Sequence, residues 1–453
     1  MKDWKLLAAL PLVGGLWAAS SVATEPVLPE KVFPALDQIL QAAVHQSPRM
    51  LDKALDLEIA ENDRVTGKAG MLPSASGYYR AYESRDKRAD LQSQGIGAVT
   101  VQKVYYDASI VQPIFFWGER RNNAKMWEIR QKISQGNFQD AYHLLAQDIR
   151  GKYLTLITLK LAAARARFNQ RFTKEQLAIA EDRLARKVIS EIDISAPRLN
   201  AERADLDVEH TAFDLENARQ TIARIAGVPI PTEESIPDAV PVLAYTPETF
   251  DHLLADYVGQ KDLPSSEAAN LRYNLEVQKL EYANQKVRLR PKFSLAAGVT
   301  QDEQSYTVNV ANKYQINSFY AGLQVTWTIF DGFAAQAGVR NALARRRQME
   351  NDYKETTERL IEEAKSQVKQ VYFSARTMSL DDRYLKSSES FVLTRKDDLT
   401  RGIVAAEDVS LAQLTLFEAQ IASYNARIDF LLKTGELLGL LKKDPVLAYA
   451  PAN

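Results

Sequence analysis

The chain has 453 residues, of which 25% are charged and 46% hydrophobic, and its 57 Lys and Arg against 58 Asp and Glu leave a formal net charge of -1. That balance excludes the basic excess of a nucleic-acid binder, and the apolar fraction excludes a charged disordered chain. With no cysteine present, disulfide frameworks, thiol catalysis, Cys-ligated zinc, iron–sulfur clusters and an acylated amino terminus are excluded as well.

Residues 1–23 read as a signal peptide. Lys2 and Lys5 precede an apolar stretch from Leu6 to Ala19, and Ser21-Val22-Ala23 supplies a small-x-small cleavage site. The stretch is short for a membrane anchor, and no later apolar run is long enough to span as a helix. An exported protein of this kind enters a membrane, if at all, through β-strands.

The rest is an internal duplication. Gln112-Pro113-Ile114-Phe115-Phe116-Trp117-Gly118 resembles Thr326-Trp327-Thr328-Ile329-Phe330-Asp331-Gly332, at an offset of 214. Ile192-Asp193-Ile194-Ser195 resembles Glu407-Asp408-Val409-Ser410, at 215. Leu72-Pro73-Ser74 resembles Arg290-Pro291-Lys292 at 218, and the stretch ending in Gly227 resembles the one ending in Gly439 at 212. Four matches in one order at nearly one offset define two repeats. The first, 24–230, contains helices, strands at about 74–84 and 99–116, and a long helical hairpin over 118–227. A Pro-rich linker occupies 231–246. The second repeat, 247–441, places strands at about 292–302 and 316–330 and a hairpin over 332–440, and 442–453 forms a tail.

The strands alternate. Phe293, Leu295, Ala297 and Val299 interleave with Ser294, Ala296, Gly298 and Thr300, giving one apolar and one polar face. Such strands fit a membrane barrel or a soluble sheet resting on a core. Gly118 to Lys187 and Gly332 to Arg401 carry no proline and, if continuous, make helices roughly 105 Å long. The returning helices carry stripes at three- and four-residue spacing, one from Ala201 through Leu215 to Ile225, the other from Leu414 through Ile428 to Leu438. These are coiled-coil seams. A membrane barrel needs at least eight strands and no open edge. One chain offers four, so several chains must share one barrel.

On these features the sequence resembles the TolC-like outer membrane efflux protein family. The resemblance rests on Arg401-Gly402-Ile403-Val404 and Glu407-Asp408-Val409-Ser410, on Leu414, Ala419, Tyr424, Arg427 and Leu437-Leu438-Gly439, and on the junctions Phe116-Trp117-Gly118 and Phe330-Asp331-Gly332. It implies a mainly α fold with a small β part. As a homotrimer the chain would build a 12-stranded outer-membrane β-barrel continuous with a long periplasmic α-helical barrel. The implied function is the exit duct of a tripartite efflux pump or a type I secretion system. Its partners would be a periplasmic adaptor (membrane fusion) protein, an inner-membrane transporter of RND, ABC or MFS type, and outer-membrane lipid. No nucleic acid, cofactor or metal is implied. His45, His143, His210 and His252 have no metal-ligand spacing, and no GxSxG, HExxH, P-loop or GxGxxG motif points to an enzyme.

The resemblance also assigns sites. The turns at Gly402, Ile403 and Val404 and, in the first repeat, at Val188, Ile189 and Ser190 match the adaptor-docking turns, the first repeat lacking the glycine. Asp408 matches the first of two gate acids, with Leu411 at the second position. A ring of three such carboxylates favours cations. Asp408 is equally placed to cap the returning helix. The family's Tyr and Arg lock partners are replaced by Leu399 and Val404, so Arg401, Glu407 and Asp397 would have to form a different periplasmic lock. Phe115, Phe116, Trp117, Trp327 and Phe330 lie near strand ends as membrane-interface aromatics. Tyr105-Tyr106 and Phe319-Tyr320, read as strand ends, would form the outer girdle. The alternative is a soluble periplasmic coiled-coil scaffold or adaptor without a membrane barrel.

Overall fold

The computed structural model describes residues 26–87, 92, 95, 97–306 and 313–449. The expected signal peptide, parts of the two strand-connecting loops and the last four residues lie outside them. Three helices open the chain: α1 (Pro29–Val32), α2 (Pro34–Gln46) and α3 (Pro48–Ala69), each with proline in its first turn, where the missing N–H has no helical partner to lose. Strands β1 (Ser74–Asp86) and β2 (Val99–Phe115) follow, then α4 (Glu119–Ala185) and α5 (Ser195–Ala226). After a linker with a single 3₁₀ turn at Glu233–Ser235, the pattern recurs as α6 (Pro247–Val258), α7 (Ser266–Val287), β3 (Lys292–Tyr306), β4 (Lys313–Thr326), α8 (Ala334–Thr400) and α9 (Ala406–Leu440). β3 runs further than its alternation indicated. β4 starts and stops earlier than expected, so Trp327 and Phe330 lie beyond it.

Both long helices have 67 residues, about 100 Å at 1.5 Å per residue. Neither is paired by one helix over its whole length. α4 packs against α3 near the sheet and against α5 further away; α8 packs against α7 and then α9. α4 also meets α9 and α7, which joins the two repeats into one wall. Near the sheet the order across this wall is α3, α4, α7, α8, and further away it is α5, α4, α9, α8. The stripe through Ala201, Ala204, Leu215 and Ile222 is buried against α4. α9, with neighbours on two sides, is buried along Ala412, Ala419, Ala426 and Leu431.

The backbone resets the register of the duplication. Gly227 ends α5 with φ 72°, and Lys442 follows α9 with φ 55°. Each lies one residue before an amide that bonds five residues back, Val228 to the Ala223 carbonyl and Lys443 to the Leu438 carbonyl. Gly227 therefore corresponds to Lys442, at offset 215, rather than to Gly439. Glycine is required at 227 for a second reason: a Cβ there would lie 2.1 Å from the Gln46 carbonyl oxygen.

The four strands form one antiparallel meander, β1-β2-β3-β4. Cross-strand partners put Ala75, Ile110, Ala297 and Ala321 in one row, with Gly77, Ala108, Val299 and Phe319 in the next row on that face. The opposite face carries the row Tyr78, Asp107, Thr300 and Ser318. One side of the sheet is thus apolar and the other polar. A bulge between Pro113 and Phe115 shifts the register by one residue, so Phe115 rather than Ile114 pairs with Phe293. A one-residue slip exchanges faces, and this one puts Phe115 on the apolar side. It also accommodates a proline in a strand that has neighbours on both sides.

The core sits halfway along the long helices. Leu36 and Leu40 of α2, Tyr142, Ile149 and Leu154 of α4, Phe250 of α6, Val371 of α8, Phe430 and Leu437 of α9, and Ile236 and Val240 of the linker form one cluster. Inside it Arg150 is fully buried. Its Nε donates to Glu30 at 2.9 Å and its Nη1 to Asp444 at 2.6 Å. His143 Nδ1 lies 3.3 Å from the same Asp444 carboxylate. Arg150 thus clamps the first helix and the last turn of the chain onto the middle of α4. A second buried arginine, Arg427, donates to Asp382 at 2.9 Å and to the Val240 carbonyl, holding the linker on α8 and α9.

Burial alone would lift the Asp444 carboxyl, but the hydrogen bonds from Arg150 and His143 and their charge hold it far below the usual carboxylate range. The stability it contributes is complete above about pH 4 and is lost only as pH falls through that lowered value. Asp444→Asn leaves Arg150 half-compensated and is expected to cost about 3–5 kcal/mol, read as a lowered urea midpoint at neutral pH, with a flatter acid-side decline. An unchanged midpoint would contradict the clamp.

Candidate functional site

Two regions carry exposed chemistry: the helical end of the sheet and the far tips of the helical hairpins. At the sheet end, each repeat turns from strand to helix through two consecutive left-handed residues, Trp117-Gly118 and Gly332-Phe333. Glycine takes this conformation freely, whereas Trp117 and Phe333 are strained in it. Around these turns the aromatics collect. Phe115 packs edge-on against Trp117 at 4.8 Å, and Phe330 against Phe333 at 5.4 Å. The Trp117 indole donates to the Pro291 carbonyl at 2.8 Å, and the Trp327 indole to the Leu289 carbonyl at 3.0 Å. The indoles thus tie both junctions to the turn between α7 and β3. Phe115, Trp327 and Phe330 are exposed, while Phe116 and Trp117 are half-buried. Ile329 and Phe333 are exposed at the same junction; Ile329 read from sequence only as the last apolar residue of the β4 alternation, and Phe333 lies past the glycine where that pattern stops.

The tyrosine pairs do not end strands. Tyr105-Tyr106 and Phe319-Tyr320 sit in mid-strand, because β2 and β4 run on past them, paired with β3. Phe115 and Tyr106 are nine residues apart, about 30 Å along a strand and roughly 23 Å in height at the tilt usual for membrane barrels. That matches the apolar band of such barrels, about 25 Å.

At the far tips the two hairpins repeat one design at offset 215. Val188 N–H bonds to the Arg183 carbonyl at 2.9 Å, and Ile403 N–H to the Asp398 carbonyl at 2.9 Å, closing each long helix. The left-handed residue between is Gly402 in one repeat and Lys187 in the other, with φ 72° and 59°. Next comes a reach-back carboxylate. Asp193 accepts from Ser190 N–H at 2.8 Å and from Ser190 Oγ at 2.7 Å; Asp408 accepts from Ala405 N–H at 3.0 Å. The Ser190 hydroxyl, followed by the Ser190 backbone N–H, holds the Asp193 carboxyl below its ordinary range. Asp408 thus stands in the third position of α9 and caps it by reaching back. Ser410 is inside the helix, its hydroxyl donating to the Ala406 carbonyl at 3.2 Å.

Of the residues singled out at the tip, the structure brings Arg401 and Asp397 together, Nη2 to Oδ2 at 2.5 Å, one turn apart on the same exposed helix end. Glu407 is exposed on the other side of the turn, apart from that pair. Val188 and Ile403 project into solvent, 70% and 67% exposed, while Ile189 and Val404 are half-buried behind them; Ser190 and Gly402 are exposed. Ile192, 83% exposed, completes this apolar rim. Ile192 and Asp193 were quoted only as evidence of duplication; carrying Asp408 across at offset 215 would have found Asp193.

A family model described as outer membrane efflux protein matches residues 39–228 and 268–440. No curated protein sequence matches significantly. Among solved structures, the CmeC outer membrane channel of Campylobacter jejuni superposes with a TM-score of 0.71 at 13% identity, covering 98% of this chain and 94% of that one. The open state of the MtrE outer membrane channel of Neisseria gonorrhoeae gives 0.64 at 15% identity, over 91% and 90% of the two chains. The outer membrane protein VceC of Vibrio cholerae gives 0.62 at 14% identity, over 90% and 96%. These likenesses fix the fold.

The strained Lys187 and the relaxed Gly402 make opposite predictions. Lys187→Gly is expected to stabilise its turn by about 1 kcal/mol and Gly402→Ala to destabilise its own by a similar amount. Hydrogen exchange reads this as a slower Val188 amide and a faster Ile403 amide. Unchanged exchange in both would contradict the two closures.

Proposed function

The chain belongs to the outer membrane efflux protein family, and on that premise we propose that three copies close into one continuous duct. The protein itself is an outer-membrane efflux channel with a periplasmic extension. The observation that carries the closed trimer is the pair of unfinished edges on a single copy. β1 and β4 each offer a long row of backbone groups at the sheet's open sides. In lipid such edges must be paired, and β4 of one copy against β1 of the next gives twelve strands around a ring. The apolar rows then face lipid and the polar rows line the pore.

The helical wall has matching seams. Its outer helices are α5 and α8, and both leave apolar stripes exposed at seven-residue spacing. α5 presents Leu199, Leu206 and Phe213; α8 presents Phe373 and Leu380, with Tyr384 and Phe391 alongside. Stripes at this spacing are coiled-coil seams awaiting a partner, and α8 of one copy on α5 of the next uses both. The exposed face of α3, through Leu51, Leu55 and Ile59, continues the seam toward the membrane. A soluble scaffold would leave all of these surfaces in water.

The tips are the periplasmic entrance. Gly402, Ile403 and Val404, with Val188, Ile189 and Ser190, form the docking rim for a periplasmic adaptor. The exposed apolar side chains supply the contact area, and the tight closures hold the rim in shape. Asp408 is the gate acid as well as a cap, and Arg401, Asp397 and Glu407 form the polar surround. The aromatics Phe115, Phe116, Trp117, Trp327 and Phe330 mark the periplasmic membrane interface. An inner-membrane transporter of RND, ABC or MFS type supplies energy through the adaptor, and small molecules or unfolded proteins pass through the duct.

The test is conductance of the detergent-extracted protein in planar bilayers, wild type against Asp408→Asn. Asparagine retains an oxygen that can accept from Ala405 N–H while removing the charge. The wild type is expected to form a cation-preferring channel, and the variant to conduct with weaker preference. A wild type that never conducts would sink the duct; a variant of unaltered selectivity would leave Asp408 as a cap alone.

A further inference from the structure

Where β2 runs into α4, the outer surface forms a groove of about 240 Å³ lined by Met71, Ile114, Phe115, Phe116, Arg120 and Arg121. Its two ends differ in chemistry. Ile114 and Phe115 are exposed and continue the apolar face of the sheet, since the bulge at Pro113 puts Phe115 beside Phe293 on that face. The other end carries two guanidinium groups. Arg120 lies over the Phe116 ring at 4.8 Å. Among the described residues neither Arg120 nor Arg121 pairs with a carboxylate. The nearest acids along α4 are already engaged: Glu119 pairs with Lys292 at 2.7 Å, and Glu128 with Lys68 at 3.0 Å.

The duplication supplies an internal control. The left-handed pair Trp117-Gly118 corresponds to Gly332-Phe333 and Glu119 to Ala334, at offset 215, so Arg120 and Arg121 correspond to Ala335 and Gln336. The second repeat makes the same left-handed turn into a 67-residue helix with an alanine and a glutamine there. The turn does not need arginines, so their presence in the first repeat has another cause.

We propose that this groove binds the headgroup of an anionic phospholipid from the periplasm-facing leaflet of the outer membrane, one per chain. The proposal rests on the membrane-duct reading above. Arg120 and Arg121 would hold the phosphate, guanidinium groups being suited to bidentate contact with its oxygens, while the acyl chains lie along Ile114, Phe115 and the apolar rows beyond. The site lies at the end of β2, an interior strand flanked by β1 and β3, and so away from the open sheet edges where the next copy pairs. Charge complementarity and continuity with the lipid-facing surface together select a lipid over a peptide or a soluble anion.

The experiment counts lipids on the intact assembly by native mass spectrometry after reconstitution with phosphatidylglycerol, or with phosphatidylcholine alone. It compares wild type with the double variant Arg120→Ala, Arg121→Gln, whose side chains are those of the second repeat. Wild type should retain up to three phosphatidylglycerol molecules in preference to phosphatidylcholine. The variant should lose that preference, with binding weakened by about tenfold to thirtyfold, and millimolar inorganic phosphate should not displace the lipid. Equal retention by variant and wild type, or no preference in the wild type, would overturn the site. Displacement by phosphate would overturn the lipid assignment in favour of a simple anion site. Conductance in phosphatidylcholine bilayers separates the two levels: if the wild type conducts there yet shows no lipid preference, only the site falls. If it neither inserts nor conducts, the duct falls and the lipid site with it.

Discussion

A strand in a membrane has no water to satisfy its backbone, so every N–H and C=O must meet another strand. In this chain that constraint acts on a four-stranded meander with two open sides and one apolar face. Its consequences run through the molecule. The open sides call for further strands, the apolar face suits lipid, and the bulge at Pro113 corrects the last turn of alternation so that Phe115 stays on the apolar face beside Phe293. The helical wall follows the same rule in another form, since α5 and α8 leave apolar stripes with no partner among the described residues.

The long helices hold the sheet about 100 Å from the hairpin tips, and length brings a problem of cohesion. A helix of 67 residues has little tertiary support at any one level. The solution is a belt at mid-height, where the linker, α2, α6 and the last turn converge on α4 and α8. Arg150 and Arg427 are its polar centres. Burying an arginine is costly unless it is fully paired, and both are paired to carboxylates or carbonyls from other segments. Each therefore specifies where a loosely structured segment must lie.

Much of this was legible in sequence, for identifiable reasons. Alternation in β3 and the proline-free runs of α4 and α8 are periodic signals, and periodic signals survive without knowledge of tertiary contacts. Strand ends were less legible. β3 extends past the expected 302 through Glu303, Gln304 and Ser305, polar residues that read as loop because they continue no apolar face. The belt was invisible because Arg150 and Asp444 are 294 positions apart, and neither belongs to a local pattern. At the tips, the reach-back role of Asp408 was half readable from its place at the start of the returning helix, whereas the strain at Lys187 had no signal except its correspondence to Gly402.

Duplication allowed the two halves to diverge where function asks for it. The same turn is followed by Arg120-Arg121 in one repeat and Ala335-Gln336 in the other, and the same closure uses glycine once and lysine once. The central claim is nonetheless about the whole: three incomplete walls become one duct. The most direct measurement is the native mass of the protein after membrane fractionation and detergent extraction. A particle of three chains recovered from the outer membrane is the predicted result. A monomer recovered from the soluble periplasmic fraction would contradict it, because the edges of β1 and β4 and the stripes on α5 and α8 would then have no partner.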